Sequence, residues 1–197
     1  LDLLGLVDAA RLARGDILPE RAADRKKHMY TMPEEHRQAG LDILLQDIGH
    51  ILETVMGAPP TLTICSGWGY HFHYAVEEGI RQNKGALQQV HAAVVDVCNA
   101  QASELTQGMH PPLTTYHKAF DRTHDVGARL ARAPGSNNTK AKPRVQPVEV
   151  VSASDTVITA DALEVLRKAH VKQGQLGDNA KAQASQKLIP TRRRPRQ

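Results

Sequence analysis

Aromatic residues are scarce in this 197-residue chain: one Trp, two Phe and four Tyr, 4% of the total. A core built mainly on stacked rings is excluded, and any local concentration of rings stands out. Cysteine is nearly absent, with Cys65 and Cys98 alone. Two cysteines make neither a disulfide framework nor a cysteine-based zinc site, and they fit a reducing, cytoplasmic setting. No apolar run reaches the ~18 residues of a membrane span, and no signal peptide is evident. The chain opens at Leu1 rather than Met, which leaves room for a longer open reading frame upstream. What remains is a chain of 41% hydrophobic residues, net charge +4 and ten histidines. That is enough for one good-sized domain plus a tail. The mild positive balance suits a nucleic-acid or nucleotide partner without establishing one.

Four of the seven rings fall in one stretch, Thr61 to Tyr74, reading TLTICSGWGYHFHY. Thr61–Cys65 and Tyr70–Tyr74 each alternate with period two, the pattern of strands. Ser66-Gly67-Trp68-Gly69 lies between them, and two glycines so close supply a tight turn. The stretch predicts a β-hairpin with His71 and His73 on one face of the second strand and Tyr70, Phe72 and Tyr74 on the other. Such a turn, with backbone N–H groups, a hydroxyl and an imidazole, can hold an anion. The plainer alternative is a core hairpin whose histidines face water.

Around the hairpin the chain reads as helices. Leu1–Arg14 is apolar and short, the end of a strand entering a helix. Gly15–Met32 is charged and reads as a solvated loop or surface helix, with nucleic-acid contact by Arg25, Lys26 and Lys27 as the alternative. Thr31–Gly57 predicts one long helix: Thr31 caps it, Pro33 sits in its first turn, and Leu41, Leu44, Leu45, Ile48, Ile51, Leu52 and Val55 form its stripe. Gly57 ends it, and Pro59-Pro60 prevents continuation. Gly85–Leu105 predicts a second helix with Leu87, Val90, Val94, Val97 and Cys98 inward and His91 and Asp96 toward solvent. Leu113–Asp121 reads as a short strand ending at Phe120-Asp121, Asp125–Arg132 as a short helix, Val145–Val151 as a strand with Pro147 at an edge, and Thr159–Lys172 as a third helix capped by Thr159. Past Gly174 the periodicity is lost, and the end, PTRRRPRQ, reads as a disordered basic tail able to hold phosphates without specificity. Strands clustered between helices predict an α+β fold.

Two separated pieces carry chemistry. One is Ser66-Gly67-Trp68-Gly69-Tyr70-His71. The other is Phe120-Asp121, then Asp125, Arg129, Leu130, Arg132, Pro134-Gly135-Ser136, Asn138 and Lys140. Together they resemble the archaeo-eukaryotic primase superfamily, and most closely the primase–polymerases of plasmids and phages. That family has a Ser-Gly-x-Gly-x-His hairpin, then an apolar-Asp motif followed by a segment like Asp…Arg-x-x-Arg-x-Pro-Gly-(Ser/Thr)-x-Asn-x-Lys. The resemblance covers roughly Thr61 to Val151. The family's first motif, a strand bearing Asp-x-Asp or Asp-x-Glu, is incomplete here. Its nearest match is Leu1-Asp2-Leu3, with Asp8 a weaker one.

The resemblance implies an RRM-like catalytic core packed by helices over residues 1–152, short of upstream residues if the natural chain continues there. A C-terminal helix follows over 153–175 and a basic tail over 176–197. It implies a DNA primase or primase–polymerase acting in plasmid or phage replication by template-directed, two-metal nucleotidyl transfer. Such chemistry needs two divalent ions ~4 Å apart on carboxylate ligands. The implied cofactor is Mg²⁺ or Mn²⁺, with Asp121 and Asp2 as ligands and Asp125 as the substitute for Asp121 or a helix cap. Asp121, His71 and Asp2 are then the catalytic set. Ser66, Gly67, Gly69, His71, Arg129, Arg132 and Lys140 bind nucleotide phosphates. The partners implied are a single-stranded DNA template, an NTP or dNTP, and a helicase or replication initiator, with no membrane. Trp68 stands where the family often has a basic residue, and it either stacks on a base or joins the core. Two other readings compete. One is a binding module for single-stranded nucleic acid that has lost polymerisation with its first carboxylate motif. The other is a metal enzyme holding Fe, Mn or Zn through His71 and His73.

Overall fold

The computed structural model describes residues 1, 3–80, 82–109, 112–113, 119–121, 132–141 and 144–171. It is a mixed helix-and-sheet fold of the α+β kind. In chain order the elements are α1 (Leu4–Ala13), α2 (Ala22–Thr31), α3 (Glu34–Ile43), a π-helical turn (Leu44–Gly49), α4 (His50–Met56), β1 (Leu62–Cys65), β2 (Tyr70–His73), β3 (Ala75–Val76), α5 (Lys84–Leu105), β4 (Asn137–Asn138), β5 (Gln146–Pro147), β6 (Glu149–Ala153), β7 (Val157–Ile158) and α6 (Ala160–Leu166), which runs on as a π-helical segment, Arg167–Val171.

The predicted hairpin is present. β1 and β2 pair antiparallel, with Cys65 opposite Tyr70 and Leu62 opposite His73. Ser66 N–H closes the turn onto Gly69 O at 2.8 Å. β6 adds to the other edge of β1, giving the order β2-β1-β6. Beyond β2, Leu1 and Leu3 bond to the backbone of the hairpin. Tyr70 N–H donates to Leu1 O at 2.9 Å, Leu1 N donates to Tyr70 O at 3.0 Å, and Leu3 N–H donates to Trp68 O at 3.0 Å. Neither Leu1 nor Leu3 is a strand residue, and Leu3 already has helical backbone angles at the start of α1, while Asp2 lies outside the described residues.

The long helix is real from Glu34 to Met56, with Leu41, Leu44, Ile48, Leu52 and Val55 buried along one stripe. Its start differs from the expectation. Thr31 is the last residue of α2, and Met32 and Pro33 are extended. The residue before a proline is pushed out of the helical region, so Pro33 separates two helices rather than opening one. Gly57 ends the helix in the left-handed region, φ 69°, as expected. Gly15–Met32 is more than a solvated segment, because α2 is pinned to the core. Met29 is buried, and Arg25 Nε lies 2.9 Å from the fully buried Asp8.

α5 follows its predicted limits. Asn83 caps it by accepting from Ala86 N–H, and Val90, Val94 and Cys98 are buried. His91 does not face open solvent; it is half-buried and lines a cavity between α5 and β2. The strand expected at Val145–Val151 is two strands, β5 and β6, divided at the buried Val148. Ala119–Asp121 is not a strand, and both backbone groups of Phe120 bond to the Asn99 side chain of α5. Thr159 caps α6 as predicted, accepting from Ala162 N–H. The helix expected at Asp125–Arg132 and the basic tail at 176–197 lie outside the described residues, save Arg132. One hydrophobic cluster joins the start of the chain, the long helix, the hairpin, α5 and Leu166 of α6. No helix among the described residues is long and apolar enough to cross a membrane.

Candidate functional site

The turn Ser66–Gly69 is shaped by a glycine that cannot be replaced locally. Gly67 has φ +83°, and a Cβ there would overlap Gln146 Cβ on β5. The turn's carbonyls are held from three directions. Asn138 Nδ2 donates to Ser66 O at 2.7 Å, Arg37 Nη1 donates to Gly67 O at 2.8 Å, and Leu3 N–H reaches Trp68 O. Arg37 is buried and ion-paired with Glu34, which also meets Arg144 at 2.9 Å. The Arg37 hydrogen bond holds the Glu34 carboxyl below its ordinary range, and Glu34 in turn raises Arg37.

On the far side, Asn99 of α5 is a buried polar residue inside an apolar stripe. Its Nδ2 donates to Phe120 O at 3.0 Å and its Oδ1 accepts from Phe120 N–H at 2.9 Å. Both polar groups of the Phe120 backbone are thereby fixed, and the next residue, Asp121, is exposed at the mouth of a cleft.

That cleft has a volume of about 170 Å³. Ser66, His71, Asp121, Arg132, Asn138 and Lys140 all line it. Residues from the two sequence pieces, some fifty positions apart, therefore share one concavity. Leu1, Trp68, Tyr70 and, from α2, Lys26 and Tyr30 complete much of the wall. A second, mainly apolar cavity of about 480 Å³ adjoins it and shares Leu1, Tyr70, His71 and Asp121.

The expected residues divide as follows. His71, Asp121, Ser66, Arg132 and Lys140 are brought together. Gly67 and Gly69 shape the turn without lining the cleft: Gly67 N–H points to Cys65 Sγ at 3.4 Å, and Gly69 O accepts from Ser66 Oγ at 3.0 Å. Ser66 Oγ is thus engaged within the turn. Ser136 Oγ bonds Ala133 O at 2.6 Å and builds its own turn. Asp2, Asp125 and Arg129 lie outside the described residues. Asp8 is a buried partner of Arg25 and is not among the residues lining the cleft. Trp68 belongs to the core at 4% exposure, edge-on to Tyr30 at 5.1 Å with the Arg37 guanidinium 5.9 Å from its ring centre.

Burial governs the electrostatics of the hairpin. It pushes the Tyr70 hydroxyl up to about 12, raises the Cys65 thiol, and lowers His73. The His71 and His73 rings stack at 6.4 Å, so the two imidazoles share the face predicted for them. Among the described residues no three His, Cys, Asp or Glu side chains gather to hold a metal ion, and the His71–His73 pair finds no third ligand there. Sequence reasoning missed Asn99 and Arg37. Their signal was a polar residue beside the buried stripe of α5 and a charged residue one turn before Leu41.

Comparisons of this chain with protein-family models, with curated proteins and with solved structures find no match.

Proposed function

We propose that the chain is a nucleotidyl transferase of the primase–polymerase kind, extending or starting a chain on single-stranded DNA from NTP or dNTP. The observation that supports the reading is the convergence of His71 and Asp121, with Arg132 and Lys140, on one cleft. A guanidinium grips phosphate oxygens in a planar fork, and an ammonium adds a point charge. An imidazole beside them can donate to the same phosphates. These groups would orient the triphosphate so that its reactive phosphorus faces the Asp121 wall, and orientation of this kind supplies much of a transfer enzyme's rate. The RRM-like core of this reading corresponds to the β2-β1-β6 sheet with Leu1 and Leu3 alongside it. A helicase or initiator partner and a cytoplasmic setting belong to the same reading.

Mg²⁺ or Mn²⁺, when bound, would neutralise the triphosphate and activate the attacking hydroxyl. Asp121 offers the hard oxygen such an ion prefers. One carboxylate is fewer than a two-ion centre needs, so the described residues alone do not complete it, and Asp2 is the residue the reading requires beside Asp121.

The test is primer synthesis and extension by the purified chain on single-stranded DNA, with NTPs or dNTPs and Mg²⁺ or Mn²⁺. Incorporation is expected and Asp121→Ala should abolish it, while single-strand binding stays within about twofold. Unchanged incorporation would remove Asp121 from the site. Template binding without incorporation, in the parent chain as in the variant, would favour the non-catalytic binding module.

A further inference from the structure

The three consecutive cations of α2 have different fates. Arg25 is committed to Asp8, and its Nη1 also donates to Pro19 O and Glu20 O. Lys27 is exposed and pairs with Asp24 at 2.9 Å. Lys26 has no ion pair among the described residues, is half-buried, and lines the cleft. Tyr30 lies one turn further on the same face and lines the cleft as well. Its edge-on contact with Trp68 fixes which side of α2 is turned inward.

Arg132 also lines the cleft and also lacks an ion pair among the described residues. Lys140 brings a third cation, and Asp121 is the one carboxylate among the described lining residues. The turn Ser66–Gly69 brings no charge at all. Cations gathered in a small concave site repel one another, and partial burial makes that repulsion stronger than in open water. A multiply charged anion bound among them offsets that repulsion. A compact cluster suits a compact anion, whereas the spaced phosphates of a strand suit an extended basic stripe.

We infer that Lys26 of α2 is a ligand for the polyphosphate group of a nucleoside 5′-triphosphate, sharing it with Arg132 and Lys140. The inference rests on the nucleotide reading of the cleft and adds a wall to it that neither sequence motif contains.

The experiment uses the full chain and the fluorescence of its single tryptophan, Trp68, which lines the same cleft. Sodium tripolyphosphate and orthophosphate are titrated at matched ionic strength, with calorimetry in parallel. Tripolyphosphate should bind at least roughly tenfold tighter than orthophosphate, because it engages several cations at once. Lys26→Gln should weaken tripolyphosphate by roughly tenfold, the scale of one charge-assisted contact. Lys27→Gln, which removes a neighbouring exposed charge, should change it by less than twofold, and Lys26→Arg should retain most of the affinity. Lys26→Ala serves as a second deletion, with circular dichroism reporting the fold of each variant.

Equal affinity of parent and Lys26 variants, equal loss in Lys26→Gln and Lys27→Gln, or no preference for tripolyphosphate would each overturn the inference. The two proposals fail separately. Incorporation that depends on Asp121 with tripolyphosphate binding indifferent to Lys26 would refute only the role of Lys26. Lys26-dependent tripolyphosphate binding without incorporation would refute the polymerase and leave a polyphosphate site.

Discussion

The two walls of the cleft are secured in different ways. The hairpin wall is fastened by several independent pegs: Asn138 on Ser66 O, Arg37 on Gly67 O, Leu3 on Trp68 O, and Leu1 on both backbone groups of Tyr70. The Asp121 wall has at Phe120 a single side chain, Asn99, that holds both backbone groups at once. A wall with many pegs tolerates the loss of any one and fails only if its turn cannot form. A segment whose described backbone anchor at Phe120 is one side chain can be shifted by one substitution there. The difference separates a dependence shared over several contacts from one concentrated in a single side chain, and substitutions can test it.

The largest effect is expected at the turn. Gly67→Ala forces an L-residue into the left-handed region and drives its Cβ into Gln146. Backbone strain of 1–3 kcal/mol and overpacking of a similar size give a destabilisation of about 4 kcal/mol. The urea midpoint reads it, since the slope should be unchanged. A loss below about 1 kcal/mol would mean that β5 moves aside easily and that the hairpin wall is not rigid.

The next effect is at Asn99. Asn99→Ala strips partners from the backbone of a buried residue, Phe120 at 5% exposure, and should cost about 2 kcal/mol. If Asn99 positions Asp121, incorporation should fall by a further order of magnitude in kcat at temperatures where the variant is fully folded, while tripolyphosphate affinity at the cations is kept. Asn99→Asp separates the two bonds: it keeps the acceptor for Phe120 N–H and loses the donor to Phe120 O. A variant that loses stability and keeps kcat would make Asn99 a core residue with no bearing on Asp121.

The same contrast explains what was legible in the sequence. The hairpin was readable because its determinants are local: period-two alternation, two glycines, and a register that follows from the turn. The long helix was readable from its stripe, but its start was not, because Thr31 is a plausible cap in isolation and only Pro33 decides which helix it joins. The convergence of His71 with Asp121 followed from a resemblance rather than from any local rule. The end of the strand expected at Leu113–Asp121 was misread because the backbone of Phe120 bonds to a side chain twenty-one positions earlier, which no local pattern announces. Arg25 was read in a solvated segment and Asp8 as a weaker match to the first carboxylate motif, and their pairing was missed for the same reason. Each charge looks solvated alone, and burial follows only from their pairing across α1 and α2. Lys26 and Lys27 are indistinguishable in sequence, and the packing of Tyr30 on Trp68 tells them apart.

The smallest effect sharpens the comparison from the hairpin side. Burial holds His73 below its ordinary value. As pH falls through the ordinary histidine range near 6.5, the unfolded chain takes up a proton at this position before the folded chain does. Stability is therefore unaffected by His73 above that range. It declines as pH drops below that range and levels off beneath the folded value. His73 is only half-buried, so solvent screens much of the penalty. Urea midpoints measured from pH 8 to pH 5 should decline less steeply below pH 6.5 in His73→Gln than in the parent, with Asn99→Ala parallel to the parent because that variant keeps His73. Parallel slopes for parent and His73→Gln would show that the imidazole gains its proton as freely in the folded hairpin as in the unfolded chain, and the dry side of the hairpin wall would have to be reassigned as wet.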